Sequence, residues 1–204
     1  MTFILGLTGS IGMGKSTTAQ LFRQRGVPVY DADQVVHDLY RKEAVPLVAK
    51  LFPAVVKDGM IDRVALGKIV FGNPDALRQL EAIIHPLVHQ AETEFVVQAR
   101  ESAAPLIILD IPLLLEKNRE GRCDAVIVVS TDFSEQKRRV MSRPDMTEEK
   151  FKQILERQVP DDLKRKRAHI VIETGRGIED ADRQVAAIIK MFNGRRGRFM
   201  AGGV

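Results

Sequence analysis

Phe3-Ile4-Leu5-Gly6-Leu7-Thr8 runs directly into Gly9-Ser10-Ile11-Gly12-Met13-Gly14-Lys15-Ser16-Thr17. The first run is apolar and of strand length; the second spells G-x-x-x-x-G-K-S, the phosphate-binding P-loop pattern. Gly9, Gly12 and Gly14 are expected to take positive φ and let the backbone approach a polyphosphate closely. Backbone N–H groups from Gly12 through Met13 and Gly14 to Thr17 then form an anion nest at the start of a helix. Lys15 reaches for the β- and γ-phosphates, and the Ser16 hydroxyl is offered to Mg²⁺. A chance match is rare at ordinary glycine usage, and a strand and helix on either side make it rarer. The stretch reads as a nucleoside triphosphate site rather than a glycine-rich turn.

Outward from the loop the chain alternates β and α. Residues 16–25 read as a helix closed by Gly26, and 27–30 as a second short strand. Residues 31–41 read as a helix with Val35, Val36 and Leu39 on one stripe. From 44 to 100 the apolar spacing is helical throughout, with Asp58-Gly59 and Gly72-Asn73-Pro74 as turns, and no strand is expected. Leu106-Ile107-Ile108-Leu109 and Ala125-Val126-Ile127-Val128-Val129 are continuous apolar runs, as central parallel strands covered on both faces require. Asp132 with Glu135 forms a capping box, Thr147 starts another helix, Ile170-Val171-Ile172 is a fifth strand, and 178–192 a last helix. The expectation is a doubly wound α/β fold: a five-stranded parallel sheet with crossover helices, interrupted by a helical insertion over about 44–100. Ligands of such sheets sit at the carboxyl ends of the strands, where the loop lies.

The chain has 204 residues, 45% apolar and 28% charged, enough for one α/β domain over 1–194 and a basic, frayed tail over 195–204. No apolar run is long enough to span a membrane, the start does not read as a signal peptide, and a cytoplasmic location follows by default. One cysteine, Cys123, excludes a disulfide framework. The histidines show no metal spacing with one another or with Cys123, which speaks against zinc. The net charge is +4, but its excess sits in clusters such as Lys164-Arg165-Lys166-Arg167 without interleaved aromatics. That suits a cleft for polyanionic small molecules better than a nucleic-acid surface.

Three further segments carry chemistry. Asp31-Ala32-Asp33 follows the second strand; Asp31 with Gln34 reads as a capping box, which leaves Asp33 free to face the cleft. A kinase acting on an alcohol needs a carboxylate to orient the hydroxyl and take its proton, and spacing alone does not say which aspartate does so. Arg139 and Arg143 share a helical face if the helix continues that far; Pro144 breaks it, and a second helix leads to Arg157. Helix, break and arginine-bearing helix suit a lid over transferring phosphates, with surface salt bridging as the plain alternative. Asp110 ends a buried strand and reads either as a partner of Mg²⁺ through water or as a strand-end group. Pro112 to Leu115 lines a pocket or belongs to the core, and His85 faces a substrate or is structural.

Taken together, the P-loop segment, Asp31-Ala32-Asp33, Ile84-His85-Pro86, Asp110-Ile111-Pro112-Leu113-Leu114-Leu115-Glu116 and Arg139 through Arg143 resemble the dephospho-CoA kinase family over about 4–189. The resemblance implies a P-loop kinase core with a helical substrate-binding insertion and a lid over about 138–160. It also implies Mg²⁺-dependent transfer of the ATP γ-phosphoryl to the ribose 3′-hydroxyl of dephospho-CoA. It makes Asp33 the base, Lys15, Arg139 and Arg143 its catalytic companions, and His85, Pro112 and Leu113 substrate contacts. Ser16 and Asp110 become the metal residues, and the partner a small molecule rather than nucleic acid or membrane, bound by a monomer or weak homo-oligomer. Two departures stand out: Pro144 replaces an aspartate usual after the lid arginine, and His169 and Glu173 flank the fifth strand where aspartates are usual. A GTPase switch would need an Asn-Lys-x-Asp motif that does not occur, and a nucleic-acid-dependent ATPase would need aromatics that the basic tail lacks.

Overall fold

The amino-terminal apolar run is strand β1 (Phe3–Thr8), and the glycine loop leads into α1 (Lys15–Gln24) and β2 (Val29–Asp31). This computed structural model describes residues 2–192. The basic tail with Arg195, Arg196 and Arg198 lies outside the described residues. After β2 come α2 (Ala32–Leu39), α3 (Ala44–Leu51), β3 (Val56–Lys57), β4 (Met60–Ile61), α4 (Arg63–Val70) and α5 (Pro74–Glu101). The chain continues through β5 (Leu106–Asp110), β6 (Ala125–Ser130), α6 (Phe133–Met141), α7 (Glu148–Glu156), α8 (Asp161–Arg167), β7 (Ile170–Glu173) and α9 (Ile178–Phe192). It divides into two compact units, one from the residues up to 30 together with those from 98 onward, the other Asp31–Val97.

The first unit is built on the sheet β2-β5-β1-β6-β7. Strand β1 pairs in parallel with both β5 and β6, and β6 with β7. Every residue of β5 and β6 is buried. This is why both read as unbroken apolar runs: helices cover a parallel sheet on its two faces, so neither face needs polar side chains. Leu5, Leu7, Ile108, Ile127 and Val129 of the sheet join Phe22 of α1 and Val185 and Ile188 of α9 in one core. Each such side chain contributes about 1.5–3 kcal/mol through burial.

Both unusual residues around β7 are in use. The His169 ring accepts the Val126 N–H at Nδ1, 3.1 Å, while the His169 N–H donates to the Val126 carbonyl at 2.9 Å. Glu173 pairs with Arg165 at 2.6 Å, and its backbone is clasped by Gln184, which accepts its N–H and donates to its carbonyl.

Two readings of this unit are corrected. Helix α6 ends at Met141 with Ser142 as its cap, so it does not reach Arg143, and the stop precedes Pro144. Helix α8 was not expected. Its sequence, DDLKRKR, has no apolar stripe, and it forms because it is fastened by charge. Lys164 is wholly buried with its ammonium 2.7 Å from Glu116; Arg167 donates to the Leu115 carbonyl and to Asn118, and Ser130 donates to Asp161 at 2.6 Å.

The second unit has its own core, with Leu39, Val48, Phe52, Val55, Leu66, Leu80 and Ile84 among its members. Its helical character was legible, but β3 and β4 form a small antiparallel hairpin where no strand was expected. Asp58 and Gly59 both take positive φ, 50° and 73°, as a two-residue hairpin turn of the Asp-Gly type requires. Asp62 then caps α4, accepting the Val64 and Ala65 N–H groups at 2.9 and 3.0 Å. The Lys57 ammonium, followed by the Ala65 N–H, holds the Asp62 carboxyl down at about 2.

Candidate active site

In the loop between β1 and α1, Gly12 and Gly14 have φ of 79° and 90°, a region that favours glycine. Gly9 does not share it, contrary to expectation. Its reason is space: a Cβ there would lie 2.9 Å from the Val129 carbonyl of β6. The third glycine is thus a close-packing residue. Gly14 is also the residue before α1, with the Thr18 N–H and hydroxyl both donating to its carbonyl. Met13 is buried, its sulfur accepts the Thr131 N–H, and its carbonyl accepts the Thr174 hydroxyl at 2.9 Å. Ser16 and Thr17 are exposed, with hydroxyls that bond to no described residue.

Lys15 stands at the first position of α1 and places its ammonium 2.6 Å from Asp110 Oδ1 at the end of β5. The Asp110 side chain is 3% exposed and the Lys15 side chain 16%, so this charge-assisted pair is shielded from water. Two residues after Asp110 the Pro112 carbonyl accepts the Thr8 hydroxyl at 3.1 Å. Leu113 is 40% exposed while Leu114 and Leu115 are core residues. The apolar stretch therefore divides, with Leu113 open to a partner and the next two residues structural.

Arg139 is fastened. It donates to Glu135 at 2.7 Å, to the Thr174 hydroxyl at 2.9 Å and to the Thr174 carbonyl at 2.7 Å. Since Thr174 also holds Met13, Arg139 braces the loop from behind, and two of its five N–H groups remain for a ligand. The Arg138 guanidinium first, and then that of Arg139, hold the Glu135 carboxyl down at about 2. Arg143, past the end of α6, is exposed, and its guanidinium meets no described residue. The two arginines differ in kind: one is a brace, the other is free.

Two residues that the sequence did not single out touch the loop. Gln158 accepts the Ile11 N–H at 3.1 Å, and Gln136 donates to the Ile11 carbonyl at 2.8 Å. Nothing in the local sequence marks either glutamine, and only the fold brings 136 and 158 to residue 11.

In the second unit, Asp31 Oδ1 accepts the Gln34 N–H at 3.0 Å and so caps α2. The box is one-sided, because the Gln34 amide turns to Asp38. Asp33, in the first turn of α2, is exposed and its carboxylate bonds to no described residue. His85 is likewise exposed and without a described partner, one position before Pro86 inside α5.

For Mg²⁺ the donors suit a cation that keeps water and phosphate oxygens: one exposed hydroxyl, Ser16, and one buried carboxylate, Asp110. Among the described residues no three His, Cys, Asp or Glu side chains form a cage, and Mg²⁺ beside a nucleotide does not need one. Among the same residues no helix is long and apolar enough to cross a membrane.

A parallel sheet ordered 2-5-1-6-7, with the loop after its central strand and Lys15 on a strand-end aspartate, defines a P-loop kinase fold. The dephospho-CoA kinase family model matches residues 3–180. Curated dephospho-CoA kinases of Agrobacterium fabrum and Mesorhizobium japonicum are 52% and 50% identical, over 93% and 95% of this chain and 98% of each relative. Among solved structures, a Thermus thermophilus protein superposes with a TM-score of 0.82 at 38% identity, covering 95% of this chain and 99% of its own. A dephospho-CoA kinase from Campylobacter jejuni does so at 0.67 and 26%, covering 94% of this chain and 98% of its own. The chain belongs to the dephospho-CoA kinase family.

Proposed function

We infer that this chain transfers the γ-phosphoryl group of ATP to the ribose 3′-hydroxyl of dephospho-CoA, giving coenzyme A and ADP. The observation that carries the reading is the family match over residues 3–180, which takes in both the phosphate loop and Asp33. Gly9, Gly12, Met13, Gly14, Lys15, Ser16 and Thr17 hold the ATP phosphates. Asp33 orients the acceptor hydroxyl and takes its proton as the oxygen bonds to the γ-phosphorus; the bond to the β,γ-bridging oxygen breaks, and its electrons leave with ADP. An exposed, unbonded carboxylate suits this role, since no internal partner competes for the hydroxyl.

Lys15 leaves or shares Asp110 to neutralise the β- and γ-phosphates. Arg143, free and beyond a helix end, adds charge when the 138–160 segment closes as a lid, while Arg139 keeps the loop in place. When bound, Mg²⁺ supplies charge neutralisation across the phosphates, with Ser16 and Asp110 as the residues that would hold it and its waters. His85, Pro112 and Leu113 contact the acceptor, whose size calls for the helical region over about 44–100. The working form is a cytoplasmic monomer or weak homo-oligomer.

The test is ADP release from Mg-ATP with dephospho-CoA, with nucleoside monophosphates and with buffer alone, the product located by NMR. Release stimulated by dephospho-CoA, with phosphate at the ribose 3′ position, is expected. Equal release with nucleoside monophosphates or with buffer would overturn the acceptor assignment.

A further inference from the structure

We propose that Gln136 and Gln158 are positioning residues that fix the phosphate loop through opposite hydrogen bonds to one residue, Ile11. Gln158 acts only as an acceptor, taking the Ile11 N–H at 3.1 Å. Gln136 acts only as a donor, giving to the Ile11 carbonyl at 2.8 Å. The two arrive from either side of the 142–157 segment, Gln136 from the middle of α6 and Gln158 from just beyond α7.

Ile11 needs such a clamp. It stands between Gly9 and Gly12, next to the residue with φ of 79°, in the part of the chain with the least intrinsic preference for one conformation. Gln136 and Gln158 also border a cavity of about 390 Å³ shared with Ser10 and Met13. Close packing against α6 is met at Gly12, where a Cβ would lie 2.6 Å from Val140, and the Met13 N–H donates to the Ser10 carbonyl at 3.1 Å; the two glutamines add the side-chain bonds to Ile11 itself. Each glutamine is itself seated. Gln136 is buried, 3% exposed. Next to Gln158, the Val159 N–H donates to Glu116 at 3.1 Å, and the buried Lys164 ammonium lies 2.7 Å from that same carboxylate.

Turning either peptide unit of Ile11 redirects the chain at Gly12 and misaligns the N–H groups that follow. Neither glutamine needs to touch a substrate for this. Losing either therefore weakens the nucleotide and leaves the acceptor's KM where it was. The inference rests on the kinase reading above for its turnover assay, but not for its binding assay.

The experiment exchanges each amide for a carboxylate and measures Mg²⁺-dependent binding of a non-hydrolysable ATP analogue by calorimetry, without acceptor. In Q158E the new carboxylate can still accept the Ile11 N–H; in Q136E it faces a carbonyl with nothing to donate. Both variants add one negative charge beside the same residue, so the long-range penalty on ATP is common to them; Q136E also encloses its carboxylate, and the uncharged Q136M and Q158A separate the lost bond from that cost. A carbonyl that loses its donor and faces an enclosed carboxylate instead is costly, so Q136E is expected to bind the analogue about tenfold more weakly than Q158E. Q158A and Q136M, which remove each bond without adding charge, are expected to raise the KM for ATP several-fold with the KM for dephospho-CoA within about twofold of wild type. Q136M keeps the test open if Q136E does not fold. Equal loss in Q136E and Q158E, or KM changes in Q136M and Q158A that affect both substrates alike and follow the melting temperature, would overturn the clamp. Wild-type protein that binds the analogue but leaves dephospho-CoA unphosphorylated would sink the acceptor assignment and leave the clamp standing.

Discussion

In the first unit Ser16, Thr17 and Arg143 are exposed with side chains that bond to no described residue, but the other side chains assigned to phosphate chemistry are tied down. Lys15 rests on Asp110, Arg139 on Glu135 and Thr174, and Ile11 between two glutamines. In the second unit Asp33 and His85 are exposed, and neither side chain bonds to a described residue. On the proposed reading, the chain organises the core of its phosphate site in advance and leaves Asp33 and His85 to be organised by what binds. That is a sensible division of cost. A polyphosphate needs many N–H groups aimed in advance, because backbone dipoles stabilise charge only when they need not reorient. A general base needs only a free lone pair at the right moment, and an internal hydrogen bond would have to be broken first.

The largest effect should come from breaking the free side. Asp33→Asn keeps the shape of α2 and its Asp31 cap but removes the carboxylate proposed to take the proton. We expect kcat to fall by about 10²–10⁴, the usual worth of general-base catalysis. Because Asp33 has no described partner to lose, melting temperature and the KM for ATP should stay close to wild type. If turnover stays near normal, Asp33 is not the base. If stability falls as well, the contrast between a tied and an untied half is wrong.

How much of this was open to a reading of the sequence depended on whether a position is fixed by its neighbours in the chain. The β1–loop–α1 unit was legible because glycine spacing, Lys15 and Ser16 carry their chemistry locally. Strands β5 and β6 were legible because burial on both faces writes itself as an unbroken apolar run. The β3–β4 hairpin was passed over although Asp58-Gly59 announced a turn, since two-residue strands leave no alternation to read. Helix α8 was invisible for a different reason: its polar sequence becomes helix only where Glu116 meets Lys164 and Leu115 to Asn118 meet Arg167. The same holds for the site. Lys15 and the candidate base could be named from motifs, whereas the Ile11 clamp and the brace of Arg139 on Thr174 depend on partners 35 to 147 residues away.

The next effect is on the tied side. Lys164→Ala would leave the Glu116 carboxylate enclosed without its cation, and losing one partner of a buried pair costs about 3–5 kcal/mol. Chemical denaturation should show that loss. Replacing both members, as in Lys164→Met with Glu116→Gln, removes the stranded charge and keeps an acceptor for the Val159 N–H, so much of the stability should return. A double variant no more stable than Lys164→Ala alone would mean that the pair matters for something other than charge balance.

The smallest effect concerns pH. The Glu135 carboxyl is held at about 2 against an ordinary 4.5, by Arg138 first and Arg139 second. A carboxyl lowered by folding contributes its stability fully above the unfolded value and loses it as pH falls toward the folded one. The stability difference between wild type and Glu135→Gln should therefore be flat from pH 7 to about 5 and shrink between 4.5 and 2. It should also be modest, because the pair lies at the surface where water screens it. Arg139 keeps both of its bonds to Thr174 in that variant, so the brace behind Met13 survives and the KM for ATP should move by less than about threefold. A large rise in that KM at neutral pH would show that Glu135, rather than Thr174, holds Arg139 in place, and that the tied half depends on a surface ion pair.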